Sequence, residues 1–88
     1  MSELERKVDA RQVLRAYQRI VETGERDGDA HRLGELLAGA DVDGYTVWVA
    51  DDAVTARVLF HSRVAIETGQ ARALERFVKR LEALVGPA

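Results

Sequence analysis

The residues of this 88-residue chain that could carry out chemistry are few and lie far apart in the sequence. Cysteine is absent, which excludes disulfides, thiolate nucleophiles and cysteine-ligated zinc or iron. The two histidines, His31 and His61, could bind zinc together with an aspartate, but no spacing typical of metal ligands joins them. We therefore predict no metal site and no cofactor.

Four aspartates cluster in the middle of the chain, at Asp41, Asp43, Asp51 and Asp52. Placing Gly44 at the sixth position of a calcium loop puts Gly39 and Ala50 at the first and last ligand positions, where neither can bind the ion. This excludes an EF-hand, and the aspartates are interpreted as turn residues. A small metal-dependent or interface-site enzyme using His61 with Asp51 or Asp52 is the least favoured function. We predict that the protein is not an enzyme.

A row of arginines suggests a second function. Arg11, Arg15 and Arg19 recur every four residues, so on a helix they share one side and could contact the phosphates of a nucleic acid. The chain as a whole has a formal net charge of −2, whereas a dedicated nucleic-acid binder usually has a basic excess. A nucleic-acid-associated regulator is therefore the alternative hypothesis and not the favoured one.

Two amphipathic helices are predicted near the two ends of the chain. One apolar stripe runs from Ala10 to Val21 with a period of 3.6 residues, which predicts a helix over about 9–23. Asp9 is its predicted N-cap, and Gln12 would complete a capping box. A second stripe predicts a helix over 69–85, and residues 1–7 are predicted to be a disordered tail.

The segment between the helices changes its pattern. Residues 24–29 have no apolar side chain and predict an exposed turn, and the leucines that follow predict a short helix over 30–38. Residues 44–50 and 53–61 predict a hairpin with a two-residue loop, and residues 63–67 a third strand. The whole chain, 1–88, is thus predicted to be one α+β domain with a small antiparallel sheet.

The predicted hairpin has two unequal faces. Tyr45, Val47 and Val49 fall on one apolar face, and Trp48 lies on the other, opposite Thr55. A half-solvated sheet is polar on its outer face, but here this face carries a tryptophan and aliphatic side chains. The predicted interaction surface consists of Trp48, Arg57, Leu59 and Ile66.

This surface could be covered by the short middle helix or by another molecule, since exposed apolar patches tend to mark interfaces. We favour a non-catalytic protein-interaction or dimerisation module that uses the sheet face around Trp48. Its partner would be a second copy, forming a homodimer, or an unknown protein.

Three segments of the chain resemble a known family. Residues 43–47, 58–61 and 74–82 read DGYTV, VLFH and LERFVKRLE, and they resemble a family of short bacterial domain-of-unknown-function proteins. The resemblance extends from the first helix onward and implies a bacterial source, no established activity and no functional residue to transfer. Independently, no secretory h-region is present and no apolar stretch approaches the roughly 20 residues of a membrane helix, which predicts a cytoplasmic protein.

Overall fold

The structure, a computed structural model, describes residues 8–60, 63–68 and 70–87. Two helices frame six antiparallel strands, with α1 over Ala10–Thr23 and α2 over Ala71–Val85. The strands are β1 (Glu25–Asp27), β2 (Ala30–Leu33), β3 (Leu36–Ala40), β4 (Thr46–Ala50), β5 (Thr55–Leu59) and β6 (Arg63–Glu67). Each strand pairs with its neighbours in the chain, so the sheet is a meander in the order β1-β2-β3-β4-β5-β6.

Both predicted helices are confirmed, with one correction at the start of α1. Asp9 is the N-cap, and its side chain accepts a 2.7 Å hydrogen bond from the backbone N–H of Arg11. The capping box is wrong, because the Gln12 side chain is buried and its Nε2 donates to the carbonyl of Gly86 at 3.0 Å. That bond joins the first turn of α1 to the end of α2. The tail predicted over residues 1–7 lies outside the described residues.

The short helix predicted over 30–38 is wrong, and the turn predicted over 24–29 contains a strand. Residues 25–40 form β1, β2 and β3, which are joined by two-residue turns at Gly28-Asp29 and Gly34-Glu35. The glycines have φ angles of 64° and 61°, which glycine adopts at no steric cost. Leucines whose spacing suits a helix therefore lie opposite each other on a hairpin.

The central hairpin, β4–β5, is confirmed with its register shifted by two residues. Four residues, 51–54, join the strands, because the Asp51 carboxylate accepts hydrogen bonds from the backbone N–H groups of Ala53 at 2.9 Å and Val54 at 2.8 Å. Trp48 consequently pairs with Arg57 instead of Thr55. A shift of two residues leaves every side chain on its predicted face, since side chains alternate with a period of two.

β6 confirms the third predicted strand but corrects the placement of one residue. Ile66 lies opposite Ala56, on the face that packs against the helices, so its predicted position beside Trp48 is wrong. The reason is the length of the β5–β6 connection. Leu59 pairs with Arg63, so three residues separate the paired positions. Because that number is odd, even-numbered residues of β5 and β6 share one face and odd-numbered residues share the other, which places Ile66 on the face of Ala56.

The hydrophobic core lies between the two helices and one face of the sheet. Its fully buried side chains include Val13 and Ile20 from α1, Phe77 and Leu81 from α2, and Val49 from the sheet. The other face, here called the open face, carries neither α1 nor α2. The architecture is thus α+β as predicted, with a sheet of six strands where a smaller one was expected. Within the described residues, no helix is long and apolar enough to cross a membrane.

Candidate functional site

The most distinctive feature of the open face is a tryptophan lying over a glycine. Trp48 on β4 pairs with Gly39 on β3, and its side chain is only half-buried. A Cβ added to Gly39 would lie 2.5 Å from Cζ2 of the indole, so the ring rests directly on the glycine backbone. Leu37 and Leu59 are half-buried on the same face. We call Leu37, Gly39, Trp48, Arg57 and Leu59 the Trp48 surface.

Ion pairs hold the polar member of this surface in place. The Arg57 guanidinium pairs with Glu67 on β6, and its Nε lies 3.9 Å from a carboxylate oxygen of Asp41. Arg57 stands directly beside Trp48 in the strand pairing. The Trp48 surface therefore has an apolar centre and a charged group already neutralised at its margin. Three of the four predicted interaction residues, Trp48, Arg57 and Leu59, come together here, and Ile66 does not.

The contact between Gly39 and Trp48 predicts a conditional effect of substitution. Gly39→Val should destabilise the protein by about 1–3 kcal/mol, because the added side chain must displace the indole. In a Trp48→Ala background the same substitution should be neutral or stabilising, since valine suits a strand better than glycine. Urea unfolding of the four proteins measures this difference. An equal loss of stability in both backgrounds would show that the indole does not lie on Gly39.

A second cluster lies at the end of the sheet where two turns approach α2. The Arg80 guanidinium is 2.6 Å from Asp51, 3.2 Å from Asp52 and 2.7 Å from Glu35, measured between nitrogen and oxygen. These groups and Arg32 line an open cavity of about 400 Å³. The hydrogen bond from Arg80 lowers the pKa of Asp52, and the same bond raises the pKa of Arg80.

This cluster is best explained as a clamp. Arg80 joins α2 to the turns after β2 and β4, and three carboxylates surround its charge, so it is poorly placed to contact phosphate. Asp51 is needed both for the turn and for Arg80. The enzyme site considered for His61 with Asp51 or Asp52 includes His61, which lies outside the described residues.

The predicted turn role of the aspartates is confirmed at a second place. The Asp43 carboxylate accepts hydrogen bonds from the backbone N–H groups of Tyr45 at 2.9 Å and Thr46 at 3.0 Å. The bond from Tyr45 is the main reason that the pKa of Asp43 is lowered. In the described part of the chain, no three His, Asp or Glu side chains converge as metal ligands would.

An exposed apolar tip that the sequence does not predict lies at the other end of the sheet. Tyr45 and Phe60 stack with their ring centres 5.9 Å apart, and their side chains are largely exposed, as is that of Val42. Tyr45 was expected within the apolar face of the hairpin. It lies just before β4 and Phe60 just after β5, so both rings extend beyond the layer that the helices cover. The end positions of the two strands were the available signal.

The arginines of the alternative hypothesis lie along α1 as predicted. Arg11, Arg15 and Arg19 are all exposed. Arg15 donates a 3.3 Å hydrogen bond to the carbonyl of Pro87, so it also links α1 to the residues that follow α2. The other histidine, His31, is half-buried on β2 opposite Ala38, on the helix-bearing face. The structure thus places His31 and the Trp48 surface on different faces of the sheet.

Comparison with known proteins bears on the family and not on the activity. A family described as "Protein of unknown function (DUF3081)" matches residues 8–87. No curated protein and no solved structure gives a significant match. The matched segment contains both helices and all six strands, so it covers the whole fold described above. In agreement with the resemblance seen in the sequence, the chain belongs to the DUF3081 family, whose function is unknown.

Proposed function

We propose that the protein is a non-catalytic interaction module that self-associates through the Trp48 surface, with the open faces of two copies packed together. The observation that carries the proposal is the partly exposed indole on a sheet face that neither α1 nor α2 covers. Among the described residues, none of the apolar side chains packed in or against the core belongs to the open face. Trp48, Leu37 and Leu59 would gain their cover from the second copy.

Two identical open faces are compatible in shape and in charge. Sheets pack face to face at about 10 Å, with side chains of the two faces interdigitating. Within the six strands, the open face carries three basic side chains (Arg32, Arg57, Arg63) and three acidic ones (Glu25, Asp27, Glu67), a balance of zero, and Asp41, which follows β3, lies beside Arg57. Two copies therefore do not repel each other through this face.

The buried area supplies the driving force. The part of the indole that its own chain leaves exposed is available for burial by a second copy, and apolar burial contributes roughly 25 cal/mol per Å². A two-fold interface includes the indole from each copy, because the same patch is used twice. Trp48 is thus expected to be the residue whose loss weakens association most.

The single tryptophan of the chain allows a direct test. We expect the mass from light scattering to rise with protein concentration, and acrylamide quenching of Trp48 fluorescence to fall in step, because association covers the indole. Trp48→Glu should remain folded by circular dichroism and lose this association. Trp48→Thr, which suits a strand, serves the same purpose if the glutamate prevents folding.

The control is Phe60→Glu, which introduces the same charge at an exposed aromatic residue outside the Trp48 surface. It should associate as the unsubstituted protein does. A rise in mass without any change in quenching would contradict the proposal, because the copies would then meet through another surface. A protein that stays monomeric throughout the concentration series would contradict it as well.

The alternative function, phosphate contact by the α1 arginines, has less support. Arg15 is already engaged with the Pro87 carbonyl, and the chain has a net charge of −2. Arg80, a further basic residue of α2, is held by three carboxylates. The arrangement of charge therefore favours the protein-interaction proposal over a nucleic-acid-associated regulator.

A further inference from the structure

The two edges of the sheet differ in how well they resist pairing with another strand. β1 consists of three charged residues, Glu25, Arg26 and Asp27, and all three are exposed. Short, charged edge strands are a common protection against edge-to-edge association. β6 has five residues, and its centre, Val64-Ala65-Ile66, has no charge. In the described part of the chain, β6 is therefore the edge strand whose centre carries no such protection.

The sequence of β6 is complementary to itself. Arg63 and Glu67 lie at equal distances on either side of Ala65. If two β6 strands pair antiparallel about Ala65, Arg63 of each copy faces Glu67 of the other. Val64 then faces Ile66 of the second copy. Opposite charges and β-branched residues facing each other are favourable cross-strand pairs.

The burial of these side chains agrees with this arrangement. Val64 and Ile66 lie on the helix-bearing face at the margin of the core, where both are only partly buried. Pairing would extend the sheet beyond β6 and cover their exposed sides. It would also satisfy backbone groups that an edge strand otherwise leaves to solvent.

We propose that two copies join by antiparallel pairing of their β6 strands about Ala65, which forms one continuous sheet from two meanders. Directly opposed residues in antiparallel strands point to the same side of a sheet. Both Trp48 surfaces therefore lie on one side of the joined sheet, and all the helices lie on the other. The contact uses an edge where the proposed function uses a face, so the two contacts are independent. A protein that makes both is a tetramer in which two joined sheets stack through their open faces.

Charge reversal at the two ends of β6 tests the pairing. In the Trp48→Glu background, which removes the face contact, we expect a dimer. Arg63→Glu places glutamates opposite Glu67, and Glu67→Arg places arginines opposite Arg63, so each should raise the dimer dissociation constant at least tenfold. Mixing these two variants in equal amounts should restore dimers, because unlike charges then face each other. The doubly substituted chain, Arg63→Glu with Glu67→Arg, should dimerise as well.

The control is Arg26→Glu, the same charge reversal at the β1 edge, which should leave the dimer intact. Light scattering and sedimentation give the masses, and restoration by mixing shows that the two single variants are folded.

A Trp48→Glu protein that is strictly monomeric overturns the β6 pairing and leaves the face contact standing. A dimer that resists both single reversals also overturns it. The unsubstituted chain could also form a dimer that persists with Trp48→Glu alone and dissociates with Arg63→Glu alone. That result would support the β6 pairing and contradict the face contact.

Discussion

Phe77→Ala should lower the free energy of unfolding by about 3–5 kcal/mol, which is the range for deleting a buried aromatic ring. Phe77 is fully buried and belongs to the core cluster that α2 shares with α1 and the sheet. Domains of this kind have a total stability of roughly 5–15 kcal/mol, so the substitution should remove about a fifth of the stability or more. Urea unfolding followed by circular dichroism and by Trp48 fluorescence measures it.

Phe60→Ala is the matched control for this deletion. The same ring is removed, but Phe60 is 68% exposed, and among the described residues its ring stacks on Tyr45. The loss should be limited to that stacking contact, about 0.5–1.5 kcal/mol. Comparable losses for Phe60→Ala and Phe77→Ala would contradict the packing of α2 against the sheet.

The sequence predicts the fold well where a local pattern of apolar residues is compatible with only one type of secondary structure. The long stripes of α1 and α2 fit only a helix, because their period of 3.6 residues persists over 14 and 15 residues. The faces of the central hairpin were also predicted correctly. The predicted loop is two residues too short, because the Asp51 carboxylate stabilises a longer turn. A difference of two residues does not change the face of any side chain, since side chains alternate with a period of two.

The middle of the chain could not be predicted because its leucines fit two structures. Leu33 and Leu36 are three residues apart, which places them on one face of a helix and also opposite each other across a two-residue turn. Gly34 and the Gly28-Asp29 pair favour turns. Turn residues alone do not decide between the two structures, because an isolated hairpin is barely stable. β2 and β3 are held by β4 and α1, so the outcome depended on contacts distant in sequence.

The candidate site was predicted in part for the same reason. Trp48, Arg57 and Leu59 belong to one hairpin, whose alternation places them together. The face on which Ile66 lies depends on the number of residues between β5 and β6, since an even number would have placed it on the open face. Whether the chain covered Trp48 depended on the middle segment. That segment joins the edge of the sheet and leaves the indole partly exposed.

Gly24→Ala should be the most damaging of the glycine-to-alanine substitutions in the described chain. Gly24 ends α1, and a Cβ there would lie 2.5 Å from the carbonyl oxygen of Ile20 and 2.5 Å from that of Arg32. Both atoms belong to the backbone, so relief requires α1 and β2 to move apart. Overpacking of this kind typically costs about 1–3 kcal/mol, and we expect a value at the upper end because no side chain can yield.

Gly28→Ala separates this clash from the conformational preference of glycine. Nothing lies within 4 Å of a Cβ at Gly28, but its φ is +64°, so only the left-handed backbone penalises alanine, by about 1–2 kcal/mol. Gly24 has a φ of −83°, which any residue adopts, so its entire loss must come from the two carbonyls. Urea unfolding should therefore rank Gly24→Ala as the more damaging change. The reverse order would mean that α1 and β2 do not approach each other closely at Gly24, and α1 would then not be fixed to the sheet at its C-terminal end.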